Sequence, residues 1–158
     1  MAAGLHVILM ALLGLQALLM LIDERVFHRR RGLGRFERWG HIADTLLFGV
    51  ALSIPALNEP QRTALVAYTV TAVASCLLIT KDEWIHAAAC PPAEHWCHAL
   101  LFILHGALLA IIGWLWLLEP SALELRILPL AIFAWGSYQH IYWNIYHDRI
   151  NHQQSLLR

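Results

Sequence analysis

The chain alternates long apolar segments with short polar ones, and this pattern predicts five helices. Each apolar segment has roughly the 20 residues that an α-helix needs to cross the hydrocarbon core of a bilayer. Asp23 and Glu24 directly follow the first segment, which lacks the basic start and small-residue end of a signal peptide, so we expect it to be retained. The predicted spans are residues 2–22, 39–57, 63–79, 96–118 and 127–147.

Composition supports a membrane protein over a water-soluble domain. Hydrophobic residues make up 59% of the 158 residues, charged residues only 14%, and the mean hydropathy is +0.55. Soluble domains contain about 45 to 50% apolar and about 25% charged residues. The expected fold class is therefore all-α, a single integral membrane bundle of five transmembrane helices.

Positive charges lie mostly on one side of this predicted bundle. Of the 11 lysines and arginines, all but Arg62 and Arg126 fall in the first connection, the third connection or the tail. Because cytoplasmic loops carry an excess of Lys and Arg, we expect the N-terminus outside and the C-terminus in the cytoplasm, in a bacterial inner or cytoplasmic membrane. Acidic and basic residues balance, which gives no case for nucleic-acid binding.

Ten histidines are the unusual part of the composition. An imidazole in lipid must be hydrogen-bonded, protonated at a cost or bound to something, and all but His6 fall on the predicted cytoplasmic half. We interpret Asp23, Glu24 and His28, beside the arginine run, as solvated or ion-paired residues and not as ligands. The three cysteines form no Cys-x-x-Cys pair, so we expect reduced thiols and no cysteine-built zinc site.

Acidic and histidine side chains recur at helical spacing at four predicted helix ends. Glu37, His41 and Asp44, for example, lie at i, i+4 and i+7 and share one helix face. The candidate metal ligands are His41, Asp44, Glu83, His86, Glu94, His98, His105, His140 and His147, and the groups expected to support them by hydrogen bonding are Glu37, Asp82, His95 and Asn144.

Two of these histidines, His105 and His140, are expected at a similar depth near the middle of the bilayer. For any single histidine the alternative is a hydrogen-bonded packing role, and for Asp44 it is an ion pair with an arginine or the cap of a neighbouring helix.

The aromatic residues have a simpler interpretation as interfacial belts. The inner belt is predicted to contain Trp39, Trp84, Trp96, Trp143 and Tyr146, and the outer belt Trp114 and Trp116.

The pair Glu83-x-x-His86 resembles the Glu-x-x-His element of carboxylate di-iron oxidases. The layout of a histidine-rich, cytosol-facing helix bundle resembles the integral-membrane di-iron hydroxylases and desaturases. His95-x-x-His98 is similar to part of one of their histidine boxes, but the full boxes His-x-x-x-His and His-x-x-His-His are absent. Because one ion takes three or four protein ligands and more candidates than that converge here, we expect two metal ions, with iron favoured and zinc as the alternative. If iron is bound, the resemblance implies O2-dependent oxidation of a lipid or other hydrophobic substrate with electrons from a cytosolic or membrane reductant.

Other classes of function remain open at this stage. A b-type haem held by His105 and His140 would make the chain an electron-transfer subunit, but would leave the deep Asp44 unexplained. A zinc-dependent membrane hydrolase would use Asp44 as a base. A metal carrier ranks last because the outer half is almost purely apolar, and a non-enzymatic subunit of a larger membrane complex is a further alternative.

Overall fold

The computed structural model describes residues 2–81 and 83–147, and every regular element in these ranges is helical. The first helix, α1 (Ala2–Ile22), continues as a π-helical segment, π1 (Asp23–His28), and a last turn, Arg29–Arg31. The next elements are α2 (Arg35–Leu57), α3 (Arg62–Leu78), the short α4 (Glu83–Ala89) and α5 (Pro92–Leu118). The last helix, α6 (Leu123–Gln139), continues as a second π-helical segment, π2 (His140–Tyr146).

Three helices begin four residues earlier than the apolar pattern predicts, and one of them is α6, which begins at Leu123 instead of Ile127. The α5 helix begins at Pro92 instead of Trp96, because proline is well tolerated in the first helical turn, where its missing N–H has no partner to lose. The α2 helix begins at Arg35, where the Glu37 carboxylate accepts a hydrogen bond of 3.0 Å from the Gly34 N–H.

Four helical stretches in the described residues are long and apolar enough to cross a membrane. They are Ala3–Arg31, Arg35–Leu57, Arg62–Ala88 and Pro92–Leu118. Large apolar side chains such as Val7, Val70 and Ile103 are exposed on them, as a lipid-facing surface requires. The prediction of an all-helical chain with several helices of membrane length is confirmed, whereas the fifth span, which would consist of α6 and π2, and the orientation stay predictions.

The helices pack in pairs around an apolar core. The α1 helix packs against α5, and α2 packs against α3 and α6. A Cβ atom on Gly49 would lie 2.6 Å from the Phe133 ring, and one on Gly136 would lie 2.8 Å from the Thr45 methyl group, so these glycines permit the close approach of α2 and α6. The core includes Leu9, Leu52, Leu108, Ile112, Leu115 and Trp116, near the start of α1 and the ends of α2 and α5.

Two tryptophans do not belong to the predicted interfacial belts. Trp116 and Trp143 are buried, and the indole N–H of each donates a hydrogen bond inside the protein, at 2.8 Å to the Asn58 carbonyl and at 3.0 Å to the Glu24 carboxylate. The belt interpretation was therefore wrong for these two. The other predicted belt residues, Trp39, Trp84, Trp96, Trp114 and Tyr146, are exposed.

Candidate metal centre

The centre of the site is built on π1, the continuation of α1. Asp23, Glu24 and His28 are all buried, and His28 is only 1% exposed. In a π-helix the backbone hydrogen bonds join residues five apart, and Asp23 Oδ2 accordingly lies 3.2 Å from His28 Nε2. The prediction that these three residues are solvated or ion-paired was wrong for solvation, because the π-helical turn directs them into the bundle, whereas the contacts of His28 with Asp23 and Glu24 fit its ion-paired alternative.

The first turns of α5 supply the other half of the site. Glu94 and His98 lie one turn apart and are both buried, and His98 Nε2 lies 2.9 Å from Asp23 Oδ1. Asp23, His28, Glu94 and His98 form the four-residue cluster, in which each side chain offers one ligand atom within 4.8 Å of the others. Ligand atoms around one tetrahedral ion are about 3.3 Å apart, so modest side-chain adjustments would bring all four onto a single cation.

Two further histidines surround the four-residue cluster. His86 Nδ1 lies 2.8 Å from His98 Nδ1, and the rings of His28 and His41 are 5.0 Å apart. Because the Asp23 carboxylate accepts, His98 carries its proton on Nε2 and, when neutral, accepts from His86 at Nδ1. A metal ion bound at His98 Nε2 would replace that proton, and binding would therefore be coupled to proton release.

Several buried ring nitrogens here have no hydrogen bond within the described residues. They are both nitrogens of His28, Nε2 of His41 and Nε2 of His86. Leaving a buried polar atom unpaired costs about 1–3 kcal/mol, so such atoms call for an explanation. An imidazole nitrogen with a free lone pair is a good ligand for iron or zinc, and these residues therefore fit a metal ion.

The charges around the site are only partly balanced. Arg31 donates to Glu37 at 2.7 and 3.1 Å and to Glu94 at 3.2 and 3.3 Å, which holds these two buried carboxylates together. Among the described residues, no lysine or arginine forms an ion pair with Asp23 or with Glu24. A buried carboxylate needs a paired charge, and a metal cation would supply one.

The second carboxylate of π1, Glu24, is held by neutral donors. It accepts hydrogen bonds from Trp143 Nε1 at 3.0 Å and from the Tyr138 hydroxyl at 3.1 Å. On α2, Asp44 forms an ion pair with Lys81, so the predicted ion-pair alternative for Asp44 is met by a lysine in place of an arginine.

A cavity of about 150 Å³ adjoins these polar groups. One part of its lining is polar and contains Asp23, Glu24, His28, His41, Asp44, His86 and His98. The rest is mainly apolar and includes Leu13, Met20, Phe48, Leu101, Phe102, Leu108 and Ile132. Apolar walls beside a few convergent polar groups are typical of a small-molecule site.

The remaining predicted site residues have other contacts. His105 lines the same cavity, but its Nε2 lies 2.9 Å from Ser75 Oγ and its ring packs against Phe48, which is the predicted packing alternative. His140 packs against the ring of Trp39, and His147 against the ring of Trp143.

Two of the predicted groups, Glu83 and His95, lie at the edge of the site. Glu83 and His95 are partly exposed and hydrogen-bonded to each other, and Glu83 Oε2 lies 3.9 Å from His86 Nδ1. Asn144 lies in π2 and is partly buried. Asp82 lies outside the described residues.

The cysteines are free thiols, as expected from their spacing. Burial, followed by a hydrogen bond with Glu94, raises the pKa of the Cys90 thiol to about 12. Cys90 therefore stays a neutral thiol near neutral pH and is not a ready thiolate ligand, which leaves imidazole and carboxylate as the donors at this site.

Neither protein-family models nor curated proteins nor solved structures give a match to this chain. The geometry of the site brings together most of the predicted ligands on α2, α4 and α5 and adds Asp23, Glu24 and His28, which the sequence analysis excluded. The sequence did contain a signal for these three residues. Two acidic residues and a histidine at the end of an apolar span are costly in a membrane unless they have binding partners.

Proposed function

We propose that this chain is an integral membrane metalloenzyme whose buried histidine and carboxylate groups bind metal beside an apolar cavity. The observation that carries the proposal is the four-residue cluster, in which the buried His28 nitrogens lie beside carboxylates without forming a hydrogen bond. The proposed topology has five transmembrane helices, with the N-terminus outside and the site on the cytoplasmic side of a bacterial membrane. A reporter fused to the C-terminus should be active only in the cytoplasm, and activity only on the outer side would overturn this topology.

The proposed centre holds two metal ions, with iron favoured. The four-residue cluster has enough donors for one ion, and the buried Glu24 and His86 and the half-buried His41 are additional donors lining the same cavity. Imidazole and carboxylate donors suit iron, zinc and manganese. Two ions account for more of these buried donors than one ion does.

The proposed reaction is O2-dependent hydroxylation or desaturation of a hydrophobic substrate. For hydroxylation, bound iron would supply O2 activation in the balanced reaction R–H + O2 + 2e⁻ + 2H⁺ → R–OH + H2O, with electrons from a cytosolic or membrane reductant. The apolar cavity walls, including Phe48, Phe102 and Leu108, would bind the substrate and exclude water. The substrate would be drawn from the membrane lipid.

Turnover experiments with and without O2 test this reaction. Protein loaded with iron should oxidise an apolar lipid mixture only when both O2 and a chemical reductant are present. His28→Ala should abolish this activity, and His6→Ala, at the far end of α1, should preserve it. Product formed by iron-loaded protein without O2 would contradict the oxidative mechanism.

A zinc-dependent membrane hydrolase is the second candidate. The observation that favours it is that Asp23, His28 and His98 would supply the three protein ligands of a catalytic zinc ion and leave its fourth position to water, while Glu94 stays paired with Arg31. Such an enzyme would cleave lipid esters or amides anaerobically with zinc alone. Haem binding by His105 and His140 is less favoured, because His105 is hydrogen-bonded to Ser75 and His140 packs on Trp39.

A further inference from the structure

The four-residue cluster is closed off from water, so a metal ion needs a route to it. Its members, Asp23, His28, Glu94 and His98, are between 1% and 6% exposed. Moving a cation through an apolar wall is costly, and a buried metal site therefore needs an entry path lined by polar groups. Such a path should consist of donor atoms that follow one another from the surface to the cluster.

One carboxylate group lies between the surface and the interior. Glu83 begins α4, and its Oε1 is hydrogen-bonded to Nε2 of His95 on α5, both side chains being partly exposed. Its other oxygen, Oε2, is buried, makes no hydrogen bond within the described residues and lies 3.9 Å from Nδ1 of the buried His86. Glu83 thus has one oxygen in contact with a surface histidine and the other next to an interior histidine.

The donor atoms continue from His86 to the cluster. His86 Nδ1 lies 2.8 Å from His98 Nδ1, and His98 Nε2 lies 2.9 Å from Asp23 Oδ1. Ligand atoms on one tetrahedral ion are about 3.3 Å apart, so neighbouring donors on this line can share a cation after small side-chain movements. An ion can therefore exchange one ligand at a time, without losing all its ligands in the apolar interior.

Charge favours this approach over two neighbouring ones. On one side, Arg31 forms an ion pair with Glu94, and on another side Arg29 donates to the Tyr138 hydroxyl at 3.1 Å. A guanidinium group repels an incoming cation. Within the part of the chain that the structure describes, by contrast, no lysine or arginine forms an ion pair with Glu83.

We propose that Glu83 and His95 form a loading site, which captures a divalent iron or zinc ion from water and passes it through His86 to the four-residue cluster. The ion keeps its charge and changes only its ligands, so the transfer needs no oxidant or reductant. A simple ion pair between α4 and α5 would account for Glu83 Oε1 but not for the buried Oε2, which faces the interior donors. The inference rests on the proposed function, because it requires that the cluster binds metal.

Rates of metal uptake test the proposal. Metal-free full-length protein in detergent is mixed with Co2+, a spectroscopic substitute for divalent iron, and the visible absorption of bound Co2+ is followed by stopped flow. Glu83→Gln and His95→Asn should each slow uptake about tenfold, because the surface loses a charge or a donor that concentrates cations there, while the final amount of bound Co2+ stays the same. The matched control is Glu119→Gln, at a partly exposed carboxylate beside His6, which should leave the rate unchanged.

Release of Co2+ to a chelator separates a route from a permanent ligand. A route serves both directions, so at unchanged affinity the two variants should slow release by the same factor as uptake. Loss of a permanent ligand would instead speed release and lower the amount of bound Co2+, and this result would overturn the proposal. Unchanged uptake in both variants would also overturn it and would leave Glu83 and His95 as an ion pair that joins two helices.

The two variants change different helices, so one of them decides the matter if the other fails to fold. Failure of the proposed function has a separate signature, which is the absence of Co2+ uptake by the unmodified protein. Failure of the loading site alone would appear as full uptake at an unchanged rate in Glu83→Gln and His95→Asn.

Discussion

Histidines at the two ends of the α1–π1 helix lie beside carboxylates in contrasting ways. His6 is partly exposed, and its two ring nitrogens lie 2.7 Å from Glu124 and 3.0 Å from Glu119. His28 is buried beside Asp23 and Glu24, yet neither of its ring nitrogens makes a hydrogen bond within the described residues. The same residue types thus form hydrogen bonds that join helices at the His6 end, whereas the ring nitrogens at the buried His28 end form none within the described residues.

The difference shows which of the two histidines has a ring nitrogen available to bind a ligand. Both nitrogens of His6 are engaged in holding α1 to α6 and the end of α5, so His6 has no lone pair left for a ligand. The nitrogens of His28 are sheltered from water and lie beside the Asp23 and Glu24 carboxylates without a hydrogen bond, an arrangement that costs stability unless something binds there. We therefore expect substitutions at the π1 end to affect metal binding, and those at the His6 end to affect only stability.

The largest expected effect is the loss of metal on removal of a member of the four-residue cluster. His28→Ala and His98→Ala should each lower metal affinity on the order of a hundredfold, because each removes a donor from the cluster. Metal content of the purified variants, measured by mass spectrometry, provides the test, with His6→Ala as the matched control. If His28→Ala keeps its full metal content, the proposed difference between a metal-binding His28 and a structural His6 would be contradicted.

Arg31→Ala should have the next largest effect, on stability. It leaves the buried Glu37 and Glu94 carboxylates without their shared guanidinium, and removing one partner of such a pair should cost about 2–3 kcal/mol in the free energy of unfolding. Thermal or denaturant unfolding in detergent measures the loss, and Arg30→Ala, at an exposed arginine of the same turn, is the control. Equal stability of the two variants would show that Arg31 is not required to neutralise these acids.

A smaller effect is expected at Ser75, which distinguishes a packing histidine from a ligand. Ser75→Ala leaves His105 Nε2 without its hydrogen-bond partner and should destabilise the fold by about 1–2 kcal/mol. Bound metal should stay at the level of the unmodified protein, since His105 is satisfied by Ser75. If Ser75→Ala folds normally but loses bound metal, His105 would instead be one of the metal ligands, as the sequence predicted.

The smallest effect is expected at the His6 end. His6→Ala removes the contacts of its two ring nitrogens with Glu124 and Glu119, and ion pairs between partly exposed groups contribute little to stability. The midpoint of thermal unfolding in detergent should therefore fall less than it does for Ser75→Ala, and bound metal should be unchanged. A larger fall than for Ser75→Ala would show that these contacts hold α1 and α6 together more strongly than their exposure suggests.

Much of the helical pattern could be predicted from hydrophobic length, but the centre of the site could not. The apolar run predicted α1 over Ala2–Ile22, but it did not predict that the helix continues past Asp23 as π1. The pairing of Asp23 with His28 was missed because five-residue spacing does not place two residues on one face of an α-helix, whereas a π-helix does. Spacing at the α-helical period of 3.6 residues per turn does not identify two residues five apart as neighbours.

Contacts between distant helices were also beyond the sequence pattern. The spacing of Glu37, His41 and Asp44 predicted a shared face, but could not show that Lys81 pairs with Asp44 while His41 stays unpaired at Nε2. Likewise, the apolar sequence around His105 did not reveal that Ser75, from another helix, satisfies it. Such partners depend on tertiary packing, which local patterns do not encode.

Metal analysis of the unmodified protein, combined with its ultraviolet–visible spectrum, tests the central claim most directly. Full-length protein purified from membranes without chelator should contain about two metal ions per chain, predominantly iron, and should lack the intense Soret band of a porphyrin. A folded protein that contains no metal, and takes up none when iron or zinc is added, would contradict the account and would leave the buried histidines as a hydrogen-bond network.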